Sequence, residues 1–527
     1  LVLSRHAEAI MPEQHPDILL IVLDTLRRDR LSTYGHHRET SPALDAFAAD
    51  ATLFERAVAP AQWTIPAHAS LFTGHYPSTH QVVQGYGRLA EHYPTLAEIL
   101  RDGGYHTIAF CNNPLVGVLN NGLRRGFDKF YNYSGTAPHR PVDEQRSHIR
   151  RILAQQWRQF ARNVENQFAH SDTMFRISMH PFLVPIWTRF TNFKGHTQRS
   201  VDDLIDYWAM YHAGDAEEPL FTFVNLMGAH LPYKPQQDTI NRLAPELRDD
   251  KRAYNFIRRF NSDAARWASP LERPFEAWER AALDGFYDAE IAQQDYHLGR
   301  LLQALKKSGR MDNTLIIIVA DHGEGHGDHN YFGHSFVVYQ ELVHVPLLIR
   351  FPEQFPVGKR VTTNISTRRI FHTILDVAEV PAPFNPNDPN GDVQSLSLQM
   401  AVNGNLDSEK DIAFSEAYPP ETFLHVIAHR QPHLIEPLRL RQIRRGIYDG
   451  EHKLVTVGQD VEALFDLSND PTEVNNIADA HPIRVMTMRH KIDQFAHHVE
   501  RYRTDSEHLD EVSEEVIDQL RALGYIE

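Results

Sequence analysis

Seven residues near the start of the chain, Asp17–Leu23 (DILLIVL), form an apolar run that is almost unbroken and rich in branched side chains. A strand of this kind suits the middle of a sheet, where helices bury both faces. Comparable runs recur at 107–110, Leu220–Leu226, 315–319 and 345–349. Helical spacing falls between them, at 94–102 and 289–308. In the second of these, Ile291, Leu298, Leu301, Leu302 and Leu305 share one face, and Lys306 and Lys307 complement the negative end of the helix. Strands alternating with helices predict an α/β fold, a three-layer α/β/α sandwich around a mostly parallel central sheet. In such sheets ligands bind beyond the carboxyl ends of the strands.

Two stretches break the rhythm. Residues 138–215 carry Trp157, Phe160, Phe168, Phe175, Phe182, Trp187, Phe190 and Phe193 among many Arg and His, and read as a mostly helical insertion. It is a candidate lid, substrate wall or homo-oligomer contact, and a packed excursion is favoured over a membrane-surface role. A second charged excursion covers 236–280. These interrupt a catalytic domain expected over 1–380. The Pro- and Asn-rich segment 381–390 reads as a loop opening a smaller α+β subdomain over 381–527. Strands are expected there at 443–448 and 453–457, a turn at 466–471, and a terminal amphipathic helix at 511–523.

Among 527 residues the net charge is −16, without a long block of either sign. That favours solubility and argues against nucleic-acid binding. It would also repel an anionic substrate unless a cation is bound locally. Cys111 is the single cysteine, which excludes a disulfide framework and a multi-cysteine zinc site, and it reads as a small core residue. No apolar run approaches a membrane span. The first fifteen residues lack the pattern of a secretory signal, so a cytoplasmic location is expected.

Candidate chemistry begins at Gln62-Trp63-Thr64-Ile65-Pro66-Ala67-His68-Ala69-Ser70. Pro66 and the small residues after it place Thr64 at or just before a helix N-terminus, where free N–H groups favour an anion. A free threonine hydroxyl is a weak nucleophile and needs activation. Three segments supply polar residues directly after apolar strands: Asp24-Thr25, Asp321-His322-Gly323-Glu324, and Gly228-Ala229-His230. Parallel strands bring these to one edge, making Asp24, Asp321, His322 and the Thr64 oxygen a candidate cation site. Mixed carboxylate and imidazole donors suit Zn²⁺ or Mn²⁺ better than Ca²⁺. Such a cation would lower the pKa of the Thr64 hydroxyl and offset charge on a phosphorus or sulfur centre. Of the later histidines, His334 pairs with His230 as a candidate to bind substrate oxygens, protonate the leaving group or hold a second cation. His326 and His329 read as solvated or supporting. His68, one turn after Thr64, is a further candidate for the same pocket.

Together, 17–24, 64–70, 289–299 leading into 321–324, and 339–349 resemble the sulfatase family of the alkaline phosphatase superfamily. The stretch 463–477 resembles that family's C-terminal signature. The resemblance implies a metal-bound nucleophile at Thr64, metal ligands at Asp24, Asp321 and His322, and polar substrate contacts at His230 and His334. In related phosphoethanolamine transferases the positions like those two can bind a second zinc. Asn112 falls where sulfatases carry a basic residue, a candidate substrate contact. Sulfatases of this family carry Cys or Ser at the nucleophile position, matured to formylglycine, with an Arg four residues on; here these are Thr64 and His68. Thr25 replaces a second metal-binding Asp, and His322 replaces a common Asn. Threonine is no formylglycine precursor. The expectation is therefore a metal-dependent phosphoric ester hydrolase or transferase, a phosphodiesterase among the options, acting on a small anionic ester through phospho-Thr64. The alternatives are a sulfuric ester hydrolase without formylglycine and a non-catalytic binding protein with the same fold.

Overall fold

The computed structural model describes residues 15–135, 138–141, 193–214, 217–382, 392–405 and 409–502, with isolated positions at 156, 177, 180 and 182–186. Nine strands make the main sheet: β1 (Asp17–Leu23), β2 (Thr52–Val58), β3 (His106–Cys111), β4 (Lys129–Asn132), β5 (Leu220–Leu226), β6 (Thr314–Val319), β9 (His344–Arg350), β10 (Arg360–Val361) and β11 (Ile365–Ser366). Between β6 and β9 lies a small separate pair, β7 (Gly325–His326) and β8 (Phe332–Gly333). The order is β10-β2-β9-β6-β1-β5-β3-β4, with β11 also on β2. Every residue of β1, β5 and β6 is buried, as continuous apolar runs require.

Pairing is parallel from β6 through β1, β5 and β3 to β4. β9 is the exception, antiparallel to both β6 and β2. The reason is local. A parallel return needs a crossover of a dozen or more residues, usually helical. Between β6 and β9 the chain instead forms the β7–β8 pair and a four-residue helix, Gln340–Val343, so it re-enters the sheet from the edge it left.

Helices flank both faces of the sheet, giving the expected layers. Those that matter to the site are α1 (Thr64–Thr73), α2 (Thr197–Ala213) and α3 (Ala277–Ser308). At 32 residues α3 runs well beyond the expected 289–308. Its N-terminal part was masked by buried acids that interrupt the apolar stripe: Arg30 and Arg38 both donate to Asp288, and Arg273 donates to Glu279. Cys111 is buried at the end of β3.

The C-terminal sheet is antiparallel: β12 (Ile412–Ala417), β13 (Arg444–Asp449), β14 (His452–Val457) and β15 (Asp460–Asp466). Helix α4 (Pro482–Tyr502) covers it, packing Met488 and Ile492 on Ile447, Leu454 and Leu464. The alternate residues of the same strands reach the main core: Ala413, Tyr448, Val455 and Phe465 belong to the same apolar cluster as β1 and β6. In the 236–280 excursion, Gln237–Leu243 and Lys251–Asn261 are helical. Most of the aromatic 138–215 insertion, most of the 381–390 loop and the 511–523 helix lie outside the described residues. Among the described residues no helix is long and apolar enough to cross a membrane.

Candidate metal and nucleophile site

β1, β3, β5 and β6 all end at one edge, and their register brings Leu23 beside Leu226 and Val22 beside Val319. The residues that follow therefore meet: Asp24 after β1, Asn112 and Asn113 after β3, His230 in the turn after β5, Asp321 and His322 after β6. Thr64 opens α1 at the same place, and its Oγ1 lies 3.3 Å from His322 Nε2. Donor atoms of Asp24, Asp321 and His322 all fall within 4.8 Å of one another, and all three residues are buried.

The hydrogen bonds hold these groups while sparing one lone pair on each. Asp24 Oδ2 accepts from Asn113 Nδ2 (2.6 Å) and Asn225 Nδ2 (3.2 Å), and Asp24 Oδ1 has no partner. Asp321 Oδ1 accepts from the N–H groups of His322 (2.9 Å) and Thr25 (3.2 Å), and Oδ2 accepts none. Thr25 reaches Asp321 from a left-handed backbone (φ 58°), a strained conformation for a branched residue. His322 Nδ1 donates to the Gly323 carbonyl (2.8 Å), which leaves Nε2 as the lone-pair nitrogen. Burial raises the Asp24 carboxyl to about 7, helped by the neighbouring Asp321, and burial raises Asp321 to about 7. Burial also lowers His322 to about 4. Two buried carboxyl groups with unpaired oxygens, a neutral imidazole nitrogen and a hydroxyl make a donor set that fits a divalent cation.

His334 and His230 stand beside this group. The rings of His322 and His334 are 4.6 Å apart, and those of His334 and His230 are 5.3 Å apart. His334 Nδ1 bonds Glu324 Oε1 (2.8 Å), and His230 Nδ1 donates to the Leu231 carbonyl (2.7 Å). Burial raises Glu324 to about 8 and lowers His334 to about 4. Among the described residues, the other triplet of metal-competent atoms is His329, Glu341 and Glu473; His230 and His334 belong to neither triplet.

His68 is fully buried, with both nitrogens engaged. Nδ1 donates to the Thr64 carbonyl (2.9 Å), Nε2 accepts from Asn225 Nδ2 (3.3 Å), and the ring packs edge-on against Phe72 and Phe223. Burial lowers it to about 4. Asn112 is also buried, and neither atom of its amide has a partner. His326 and His329 take the supporting alternative: His326 is buried and bonds Asp284 and Tyr233, and His329, partly buried, bonds Glu341.

Two supporting residues, Asn113 and Asn225, which fix Asp24, were not read from sequence; Glu324 was read as part of the polar segment after β6, but not as the group that fixes His334. Asn225 carried a signal, since with Thr222 it interrupts the apolar run LFTFVNL.

The sulfatase family model matches residues 16–380, and the model of the N-sulphoglucosamine sulphohydrolase C-terminal region matches 327–498. The chain belongs to the sulfatase family. It is 23% identical over 483 residues to an arylsulfatase of Clostridium perfringens, covering 88% of this chain and 90% of that protein. To arylsulfatase K of Bos taurus it is 24% identical over 489 residues, covering 89% and 79%. Two solved phosphonate monoester hydrolases share its fold. That of Agrobacterium radiobacter matches with TM-score 0.64 at 24% identity, covering 92% of this chain and 96% of its own. That of Silicibacter pomeroyi gives 0.60 at 20%, covering 91% and 95%. The protein is thus a sulfatase-family hydrolase, from a family of metal-dependent enzymes, with a candidate metal cluster at the expected sheet edge.

Proposed function

We propose that the protein cleaves phosphate or phosphonate esters, diesters included, with Thr64 as nucleophile and a covalent phospho-Thr64 intermediate. The observation that carries this reading is the Thr64 hydroxyl at the first position of α1, 3.3 Å from His322 Nε2 and beside the unpaired oxygens of Asp24 and Asp321. Asp24, Asp321, His322 and Thr64 Oγ1 would hold a divalent cation. Such an ion, when bound, makes the hydroxyl more acidic and offsets charge on the phosphoryl oxygens.

The chain's own groups carry the remaining steps. Thr64 Oγ1 forms the bond to phosphorus as the bond from phosphorus to the leaving oxygen breaks, and the hydroxyl proton passes to water. His334, held by Glu324, and His230 face substrate oxygens and return a proton to the departing alkoxide. Water, or an acceptor alcohol, then attacks the phospho-threonine and frees Thr64. His68 and Asn225 keep the start of α1 and the Asp24 carboxylate in register. His68 thus serves here as a positioning residue.

A second reading, hydrolysis of sulfate esters by unmodified Thr64, is favoured by the names of the curated relatives, which are sulfatases. A panel of aryl sulfates, phosphate monoesters, diesters and phosphonates separates the two. Phosphonates or diesters should turn over fastest; a clear preference for sulfates reverses the order. Thr64→Ala should lower kcat by at least about 10³-fold with unchanged unfolding behaviour. Full activity in that variant rules out the mechanism.

A further inference from the structure

A cavity of about 610 Å³ opens beside the candidate site, at the junction of α2, α3 and the turn after β5. Gly228 and Pro232, which flank His230, line it, and so does Phe193, whose ring lies 5.6 Å from that of His230. Its size is that of a small-molecule pocket. None of the groups assigned above to the ester centre lines it.

Its chemistry is specific. In a protein of net charge −16, the lining carries Arg199 and Lys234 beside a third cation, Lys194, whose ammonium is taken by the single carboxylate Glu290 (3.0 Å) and the Pro232 carbonyl (3.2 Å). The first turn of α2, Thr197 to Arg199, also forms part of the wall. That 17-residue helix begins after His196 without a side-chain cap, so the N–H groups of its first turn have no side-chain acceptor there. Cations and an uncapped helix start both favour an anion. A separate observation points to hydroxyl groups. Gln294 is 3% exposed, lines the cavity and carries an Oε1 atom with no hydrogen-bond partner. An unpaired carbonyl oxygen needs a donor. The chain approaches here through Gly195 (φ 63°), where an added Cβ would lie 2.9 Å from Asn112; only glycine allows α2 to start so close to the sheet edge.

We infer that this cavity binds an anionic, hydroxyl-bearing group, a phosphorylated or similarly charged sugar or polyol that forms the non-reacting part of the substrate. The inference rests on the proposed ester cleavage for its meaning as a substrate pocket, but its binding chemistry stands on the cavity alone. Arg199, Lys234 and the α2 N-terminus would hold the anion, and Gln294 would accept from a neighbouring hydroxyl.

The test is calorimetric titration of the full-length Thr64→Ala protein in EDTA, so that neither turnover nor cation binding contributes. The probes are glucose 6-phosphate, glycerol 3-phosphate, glucose and inorganic phosphate. At least one sugar or polyol phosphate should bind about tenfold more tightly than glucose or inorganic phosphate. Adding Arg199→Ala or Lys234→Ala should weaken that binding about tenfold. Gln294→Leu should weaken it while leaving inorganic phosphate unchanged, with unfolding midpoints checking that each variant folds. No measurable binding of either phosphate ester, or binding indifferent to Arg199→Ala and Lys234→Ala, overturns the inference. Binding retained in a protein that turns over no ester would sink the proposed reaction and leave the cavity assignment standing. Turnover of phosphate esters with variant-indifferent binding does the reverse.

Discussion

At the residue scale, the strongest constraint is the unpaired oxygen on each of Asp24 and Asp321. Buried charge without a counter-charge is costly, so an ion that binds the folded chain alone stabilises it by mass action. Millimolar Zn²⁺ or Mn²⁺ should therefore stabilise the folded chain, by about 2.7 kcal/mol at a hundredfold excess over Kd, and raise its unfolding midpoint. Chelator should remove the gain, and Asp24→Ala should not show it. Scanning calorimetry reads this directly, and a midpoint indifferent to both ion and chelator excludes a cation at this place. Asp24, Asp321, His322 and Thr64 were legible because each sits where an apolar strand stops or a helix starts. Asn113 and Asn225 were not, because their value depends on which strands lie side by side. Register across a sheet is not written in any one strand.

At the scale of elements, the segment between β6 and β9 carries the most chemistry and was the hardest to anticipate. It holds His322, Glu324 and His334, and is pinned midway by His329. That ring stacks on Tyr339 (centroids 3.8 Å apart), bonds Glu341 Oε1 (2.9 Å) and bonds the Glu473 carbonyl (3.1 Å). Burial alone would lower the His329 pKa, but Glu341 and Glu473 raise it to about 9 from an ordinary 6.5. A histidine with a raised folded-state pKa contributes stability that is fully present below about 6.5 and lost as pH climbs through about 9. Urea unfolding at pH 6, 7.5 and 9.5 should show this decline, and His329→Gln should flatten it. A stability that rises across that window would contradict the assignment. The sequence showed β9 as an apolar run but not its direction, which follows from the missing crossover helix. The first third of α3 was hidden for a similar reason: its buried acids look solvent-facing until their arginine partners, far away in sequence, are in place.

At the scale of the molecule, the two sheets share one core, and a buried ion pair in the C-terminal part anchors the segment that leads into β9. Lys453 on β14 and Glu473 are both fully buried, 2.6 Å apart, and Glu473 also accepts from the Gln340 N–H just before β9. Glu473→Ala strands the ammonium and should cost about 3–5 kcal/mol. The double variant Lys453→Met, Glu473→Leu should recover much of that loss in denaturant unfolding. An equal loss in both would place the stability elsewhere. The layered architecture and the small C-terminal sheet were legible from strand spacing, whereas this tie was not, since an isolated Lys and Glu look like surface residues. The order of the central strands carries a last consequence, for synthesis rather than catalysis. β6 pairs directly with β1, and Thr25 bonds Asp321 across 296 residues of chain. At about 5–20 residues per second, a ribosome makes Asp24 roughly 15–60 s before Asp321 exists. Throughout that interval one edge of β1 lacks its neighbour, and the nascent chain presents half a site to any ion it meets.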